Sequence, residues 1–180
     1  MMSVEGSKSG AAPKDPVASI GGQLPLLSTG NRAALRRMFL TQSAEADGVV
    51  MGLLSAADVP DAEWHDPASL KRWRLIAHVA ATLSGTAGKN PHSPVRPLGQ
   101  ALNAAGFSEN RLIRLTTARG TALVDQIVRM ARYLAQAGQA PVDLRSIRAL
   151  VSDRADIAED ARLRIARDYY SAAYKSKEKA

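Results

Sequence analysis

Apolar residues recur along this chain at helical spacing, and glycine, proline and small polar residues punctuate the gaps between the recurrences. The sharpest stretch is LGQALNAAGFSENRLIRL at 98–115. It predicts a short helix, a turn at Ala105-Gly106-Phe107 and a second helix opened by Ser108. In that second helix Leu112 and Leu115 form an apolar back, with Arg111 and Arg114 beside them. Further on, Leu123, Ile127, Met130 and Leu134 step by four, three and four. They mark the core stripe of a long helix over about 120–137, bounded by Gly138 and Pro141.

The same reading extends to both sides. Ile20, Leu24 and Leu27 suggest a short or irregular helix within 17–27, weakened by Gly21, Gly22 and Pro25. Ser28-Thr29-Gly30-Asn31 caps a helix through RAALRRMFL, with Ala34, Leu35, Met38 and Phe39 inward and Arg32, Arg36 and Arg37 outward. Residues 46–57 read as a buried helix. Asp66-Pro67 opens a helix to Gly85 with Leu70, Trp73, Ala77, Ala80 and Leu83 inward and Lys71, Arg74 and His78 outward. Helices over about 142–151 and 157–174 follow, the last with Ala161, Ile165, Tyr169 and Ala172 inward and with Arg162, Arg164 and Arg167 on a solvated, charge-balanced surface. The fold class is therefore all-α, a compact helical bundle of about seven to eight helices. The expected organisation is a disordered tail over 1–15, a single helical domain over 16–175 and a frayed end at 176–180.

Composition supports this. Of 180 residues 46% are hydrophobic but only 4% aromatic, so aliphatic side chains must fill the core. The chain has no cysteine, which removes disulfides, thiolate metal sites and a cysteine nucleophile. No apolar run is long enough to span a membrane or serve as a signal peptide, so a soluble cytoplasmic protein is expected. Lys and Arg number 24 against 17 Asp and Glu, a net charge of +7 that favours an anionic partner. The charge is uneven. Within 96–132 six arginines face two acids, Glu109 and Asp125, and Asp125 is spaced to pair with Arg129.

Candidate chemistry is sparse. GTAGKN at 85–90 is not a phosphate-binding loop: its glycines stand too close, Asn90 follows the lysine, and a helix rather than a strand precedes it. What remains is a mobile basic loop with Lys89, His92 and Arg96. His65, His78 and His92 lie about 13 residues apart, so no pair has zinc-ligand spacing. No nucleophile elbow occurs. Asp58, Asp61 and Glu63 read as caps and solvated acids. No catalytic residue, metal site or cofactor is expected. Hairpin 98–117 could serve a stand-alone helix-turn-helix DNA-binding regulator, but its arginines leave a narrow polar face for reading bases. Dispersed arginines suit tracking of a nucleic-acid backbone. A protein–protein adaptor whose arginines pair with acidic surfaces is a third reading.

Four blocks, GNRAALRRM at 30–38, the hairpin at 98–115, VDLRSI at 142–147 and DYY at 168–170, stand in an order and spacing that resembles the CasB family. These are small subunits of the type I-E CRISPR surveillance complex, Cascade. The resemblance implies an all-helical, non-enzymatic subunit working in antiviral defence. Its partners would be the backbone and large subunits, a second copy of itself, the CRISPR guide RNA, and the target and displaced DNA; no membrane is involved. Its basic surface would stabilise the guide RNA–target DNA hybrid and the displaced strand of the R-loop. Carried onto this chain, the nucleic-acid-binding positions fall on Arg36, Arg37, Lys89, Arg111, Arg114 and Arg129. Leu144 stands where tryptophan is common in the family, and Thr116 and Thr117 precede Arg119 where the family has basic residues.

Overall fold

Three helix starts are written into single side chains, and a computed structural model shows each in place. Asp15 accepts the Val17 N–H at 3.0 Å, Ser28 accepts Asn31 N–H at 3.0 Å, and Asp66 accepts Ser69 N–H at 2.7 Å. Each fills a donor that the first helical turn leaves open. The structure describes residues 14–39 and 44–178. Most of the tail expected over 1–15, Leu40 of the second predicted helix, and the last two residues lie outside them.

In chain order the helices are α1 (Pro16–Gln23), a single 3-10 turn at Leu24–Leu26, α2 (Thr29–Arg37), α3 (Ala44–Ala56), α4 (Asp61–His65) and α5 (Pro67–Ser84). After a long connection come α6 (Leu98–Ala104), α7 (Glu109–Thr117), α8 (Gly120–Gln136), α9 (Arg145–Leu150) and α10 (Ala155–Lys177). Helix makes up 73% of the described residues, which hold no strands and ten α-helices rather than seven or eight. The one-turn α4 is the helix the sequence pattern does not mark, and α9, predicted from about 142, starts only at Arg145 because Val142 is taken into a bridge with His92.

Helix α5 lies at the centre. It touches α1, α2, α3, α4, α8 and α9, and Leu75 to Ala81 are all buried. Enclosure on several sides corrects the expected outward stripe: His78 is only 1% exposed. Arg32 and Arg162, expected on solvated faces, are also buried, whereas Phe39, expected inward, is exposed. Helix α3 buries Ala46, Val50, Leu53 and Leu54 but leaves Gly48, Met51 and Gly52 outside, so it is two-faced rather than engulfed.

The 85–97 connection is tied down rather than mobile. Val142 N–H donates to Pro91 O, Ser93 N–H to Val142 O and Asp143 N–H to Arg96 O, at 3.0, 3.0 and 2.8 Å. Leu144, in place of tryptophan, is fully buried beside this seam, and its N–H donates to His92 Nδ1 at 3.2 Å.

The hairpin is present as α6–α7, with Gly106 in the left-handed region at φ 72°. Ser108 holds the cap position, yet its side chain bonds no helix N–H; its carbonyl accepts Leu112 N–H instead. Leu112 and Leu115 are buried as predicted. Helix α6 packs closely on α10, and Gly99 is where the two backbones meet. A Cβ there would strike the backbone of α10, Tyr169 N at 2.7 Å and Ile165 O closer still. Backbone on both sides cannot move as a side chain could. Gly99→Ala is expected to lower unfolding free energy by about 1–3 kcal/mol, the usual range for overpacking, read from the urea midpoint.

Candidate nucleic-acid interface

Helix α2 ends on two arginines, a placement its C-terminal partial negative charge favours. Arg36 is half-buried and donates Nη1–H to Gly85 O, the α5 C-cap, at 2.8 Å. Arg37 is exposed. Lys89 is brought to the same place by its backbone: its N–H donates to Ser84 O at 3.2 Å, and its O accepts Ser84 Oγ–H at 2.6 Å. The side chain stays in solvent. Beneath them Arg32 donates to Leu27 O and Thr29 Oγ1, its guanidinium lying against Gly88. Gly88 has φ 63°, and a Cβ there would strike the guanidinium. Arg36, Arg37 and Lys89 thus form one group at the C-terminal end of α5.

The second group rests on Tyr133. Its hydroxyl donates to Ala105 O and Gly106 O at 3.2 and 3.1 Å, and Phe107 meets its ring edge-on at 5.3 Å. Arg111 lies over the open side of the ring, 4.9 Å from the centroid. Tyr169 Oη–H donates to Phe107 O at 2.6 Å and fixes the turn to α10. Arg114 is exposed in the last turn of α7. Arg129 is exposed on α8, one turn before Tyr133. The expected Asp125–Arg129 pair is not among the ion pairs of the described residues.

Buried in α5, His78 donates its Nδ1–H to Leu35 O at 3.0 Å and so ties α5 to α2. Phe39 caps its ring edge-on at 4.9 Å, and Nε2 finds no partner among the described residues. Burial lowers the His78 pKa; the Leu35 bond opposes this and the Arg132 charge reinforces it. Burial also lowers His92, against the pull of Asp143 and Asp15 and with the push of Arg145.

Sequence reasoning missed Tyr133, Arg32 and His78 as parts of this arrangement. The signal for Tyr133 is slight: an aromatic at the edge of the α8 stripe, next to the core position Leu134. Arg32 and His78 look like members of basic stripes, and nothing local separates a buried cation from an exposed one.

Among the described residues no group of three or more His, Cys, Asp or Glu could hold a metal ion, and no helix is long and apolar enough to cross a membrane. The arrangement is a helical one, with arginines displayed on short, well-anchored elements. The family model for CRISPR-associated protein Cse2 matches residues 31–170, and the chain belongs to that family, the CasB small subunits. The match spans all six candidate cations and places the protein with the subunits of a CRISPR Cascade complex. No curated protein and no solved structure gives a match.

The lowered histidines set a pH dependence. Each binds its proton more readily in the unfolded chain, so stability is lost as pH falls below the ordinary value near 6.5 and is unaffected well above it. The urea midpoint is expected to drop between about pH 7.5 and about pH 5.5. In His78→Gln the drop should be smaller; an identical drop would remove His78 from the account.

Proposed function

We propose that this protein is a non-catalytic Cascade small subunit, without a cofactor, that grips nucleic-acid phosphates through Arg36, Arg37, Lys89, Arg111, Arg114 and Arg129. By doing so it stabilises the guide RNA–target DNA hybrid and the displaced strand of the R-loop. Protein contacts to the backbone tip a strand exchange that base pairing leaves nearly balanced. Its partners are the backbone and large subunits and a second copy of itself, in the cytoplasm, and residues 16–175 act as one domain.

The observation that carries this reading is how the cations are held. Several other arginines meet carboxylates: Arg72 with Asp153, Arg74 with Asp47, Arg119 and Arg162 with Glu159, Arg145 with Asp143, and Arg154 with Asp156, although Arg32 and Arg96 are held by neutral groups. At Arg36, Lys89, Arg111, Arg114 and Arg129 no carboxylate among the described residues answers the charge. Arg36 is held by a carbonyl and Arg111 by a ring, while Lys89, Arg114 and Arg129 pair with no acid among the described residues. Neutral anchors fix a guanidinium in place without cancelling its charge, which stays available to phosphate. Membership in a CRISPR-associated family favours this reading over a stand-alone helix-turn-helix regulator.

The test is binding of single-stranded DNA across a range of salt concentrations. Removing a cation that neutralises one phosphate should reduce the log–log salt slope by about 0.7. Arg111→Ala with Arg114→Ala should therefore lower the slope by about 1.4 while the circular dichroism spectrum stays unchanged. An unchanged slope and affinity in a folded double variant would remove these two residues from the interface.

A further inference from the structure

A groove runs between α5 and α8 on a part of the surface that the nucleic-acid reading does not use. At one end is a cleft of about 310 Å³ with an aliphatic floor that includes Leu75, Leu123, Val124 and Leu150. Lys71, Arg72, Arg119 and Arg162 line the same cleft. Past Lys71, Leu75 and Val124 it opens into a second depression of about 290 Å³, reaching Arg74 and the 42%-exposed ring of Phe39. The two depressions share those three residues and so form one continuous path.

The electrostatics of the deeper end are incomplete. Arg162 has an 8%-exposed side chain, and its Nε meets no acceptor among the described residues. Its Nη1 shares a single Glu159 oxygen with Arg119, at 3.3 and 3.1 Å. A buried guanidinium with half a carboxylate is poorly compensated. Helix α8 begins at the same spot: its N-cap, Arg119, supplies no side-chain acceptor, and its first turn holds no acid. The free N–H groups and the partial positive charge of that helix end therefore add to the cations. Asp153 and Asp47 answer Arg72 and Arg74, at 3.4 and 3.1 Å, and Lys71 pairs with no acid among the described residues. The groove keeps an excess of positive charge over an apolar floor.

We propose that this groove docks a segment of another protein chain that carries a carboxylate flanked by apolar side chains. The carboxylate seats between Arg119, Arg162 and Lys71 at the start of α8. The flanking apolar residues cover Leu75, Val124 and Phe39. Nucleic acid fits less well, because a phosphodiester chain would satisfy the cations and leave the aliphatic floor wet. The inference rests on membership in a multi-subunit complex and not on which residues hold nucleic acid.

The test uses the complex purified with the full chain, treated with a carbodiimide that joins an amine to a carboxylate only where they already touch. An amide between Lys71 and an Asp or Glu of a different chain is the expected product, read by peptide mass spectrometry. In parallel, Lys71→Gln with Arg119→Gln should reduce incorporation of this subunit at least tenfold. Its helical spectrum and its affinity for single-stranded DNA should stay within twofold of the parent. Three results would overturn the proposal: Lys71 linked only to peptides of this chain's own sequence, photocrosslinks from the groove to RNA or DNA, or normal incorporation of the double variant. Loss of DNA binding by the Arg111 and Arg114 variants bears on the nucleic-acid reading alone, so the two can fail separately.

Discussion

The burial of α5 on several sides is the constraint from which the rest of the arrangement follows. A helix enclosed by neighbours has no solvated face on which to leave a polar side chain, so every polar group it carries in its second half must be neutral or bonded. His78 is both: burial holds it uncharged, and its Nδ1–H is taken by a carbonyl of α2. That bond, together with Arg36 on Gly85 and Arg32 against Gly88, runs the last turn of α2 alongside the end of α5. The basic group there is thus positioned by core packing, not by the flexible loop its sequence suggests.

A protein with a net charge of +7 can either neutralise its arginines internally or leave them available, and this one does both in different places. On α5, α9 and α10 the guanidiniums meet carboxylates at surface ion pairs that contribute little to stability, a few tenths to about 1 kcal/mol each. At Arg36 and Arg111 the supports are a carbonyl and a tyrosine ring. The same residue type therefore serves as a surface strut in one region and as presented charge in the other. Arg119 and Arg162 stand between these cases, two cations on one carboxylate beside an uncapped helix start.

Much of the fold is legible in the sequence because it is local. The stripe Leu123, Ile127, Met130, Leu134 and the hairpin turn at Gly106 depend on spacing and on backbone preference, and both are where the pattern places them. The pattern misplaces His78, Arg32, Arg162 and Phe39 because their environments are made by partners 40 or more residues away or by the crossing of other helices: Leu35 over His78 spans 43 positions. Likewise the 85–97 segment has loop composition, yet Val142 and Asp143 stitch it down. Of the six candidate cations, Arg36, Arg37, Arg111 and Arg114 lie in the blocks that resemble the family, and Lys89 and Arg129 in the loop and helix next to them. What holds Arg36, Arg111 and Lys89, a carbonyl, a ring and a pinned backbone, cannot be read there.

Tyr133 has a further consequence for how Arg111 meets a partner. A free arginine on a surface gives up roughly 2 kcal/mol of rotamer freedom when it is immobilised. Arg111 has surrendered part of that freedom during folding, to a ring that is itself locked by two carbonyls and an edge-on phenylalanine. The ordering is done once, in the folding of the subunit, and not again at each encounter. A phosphate arriving at this edge finds a cation already standing still.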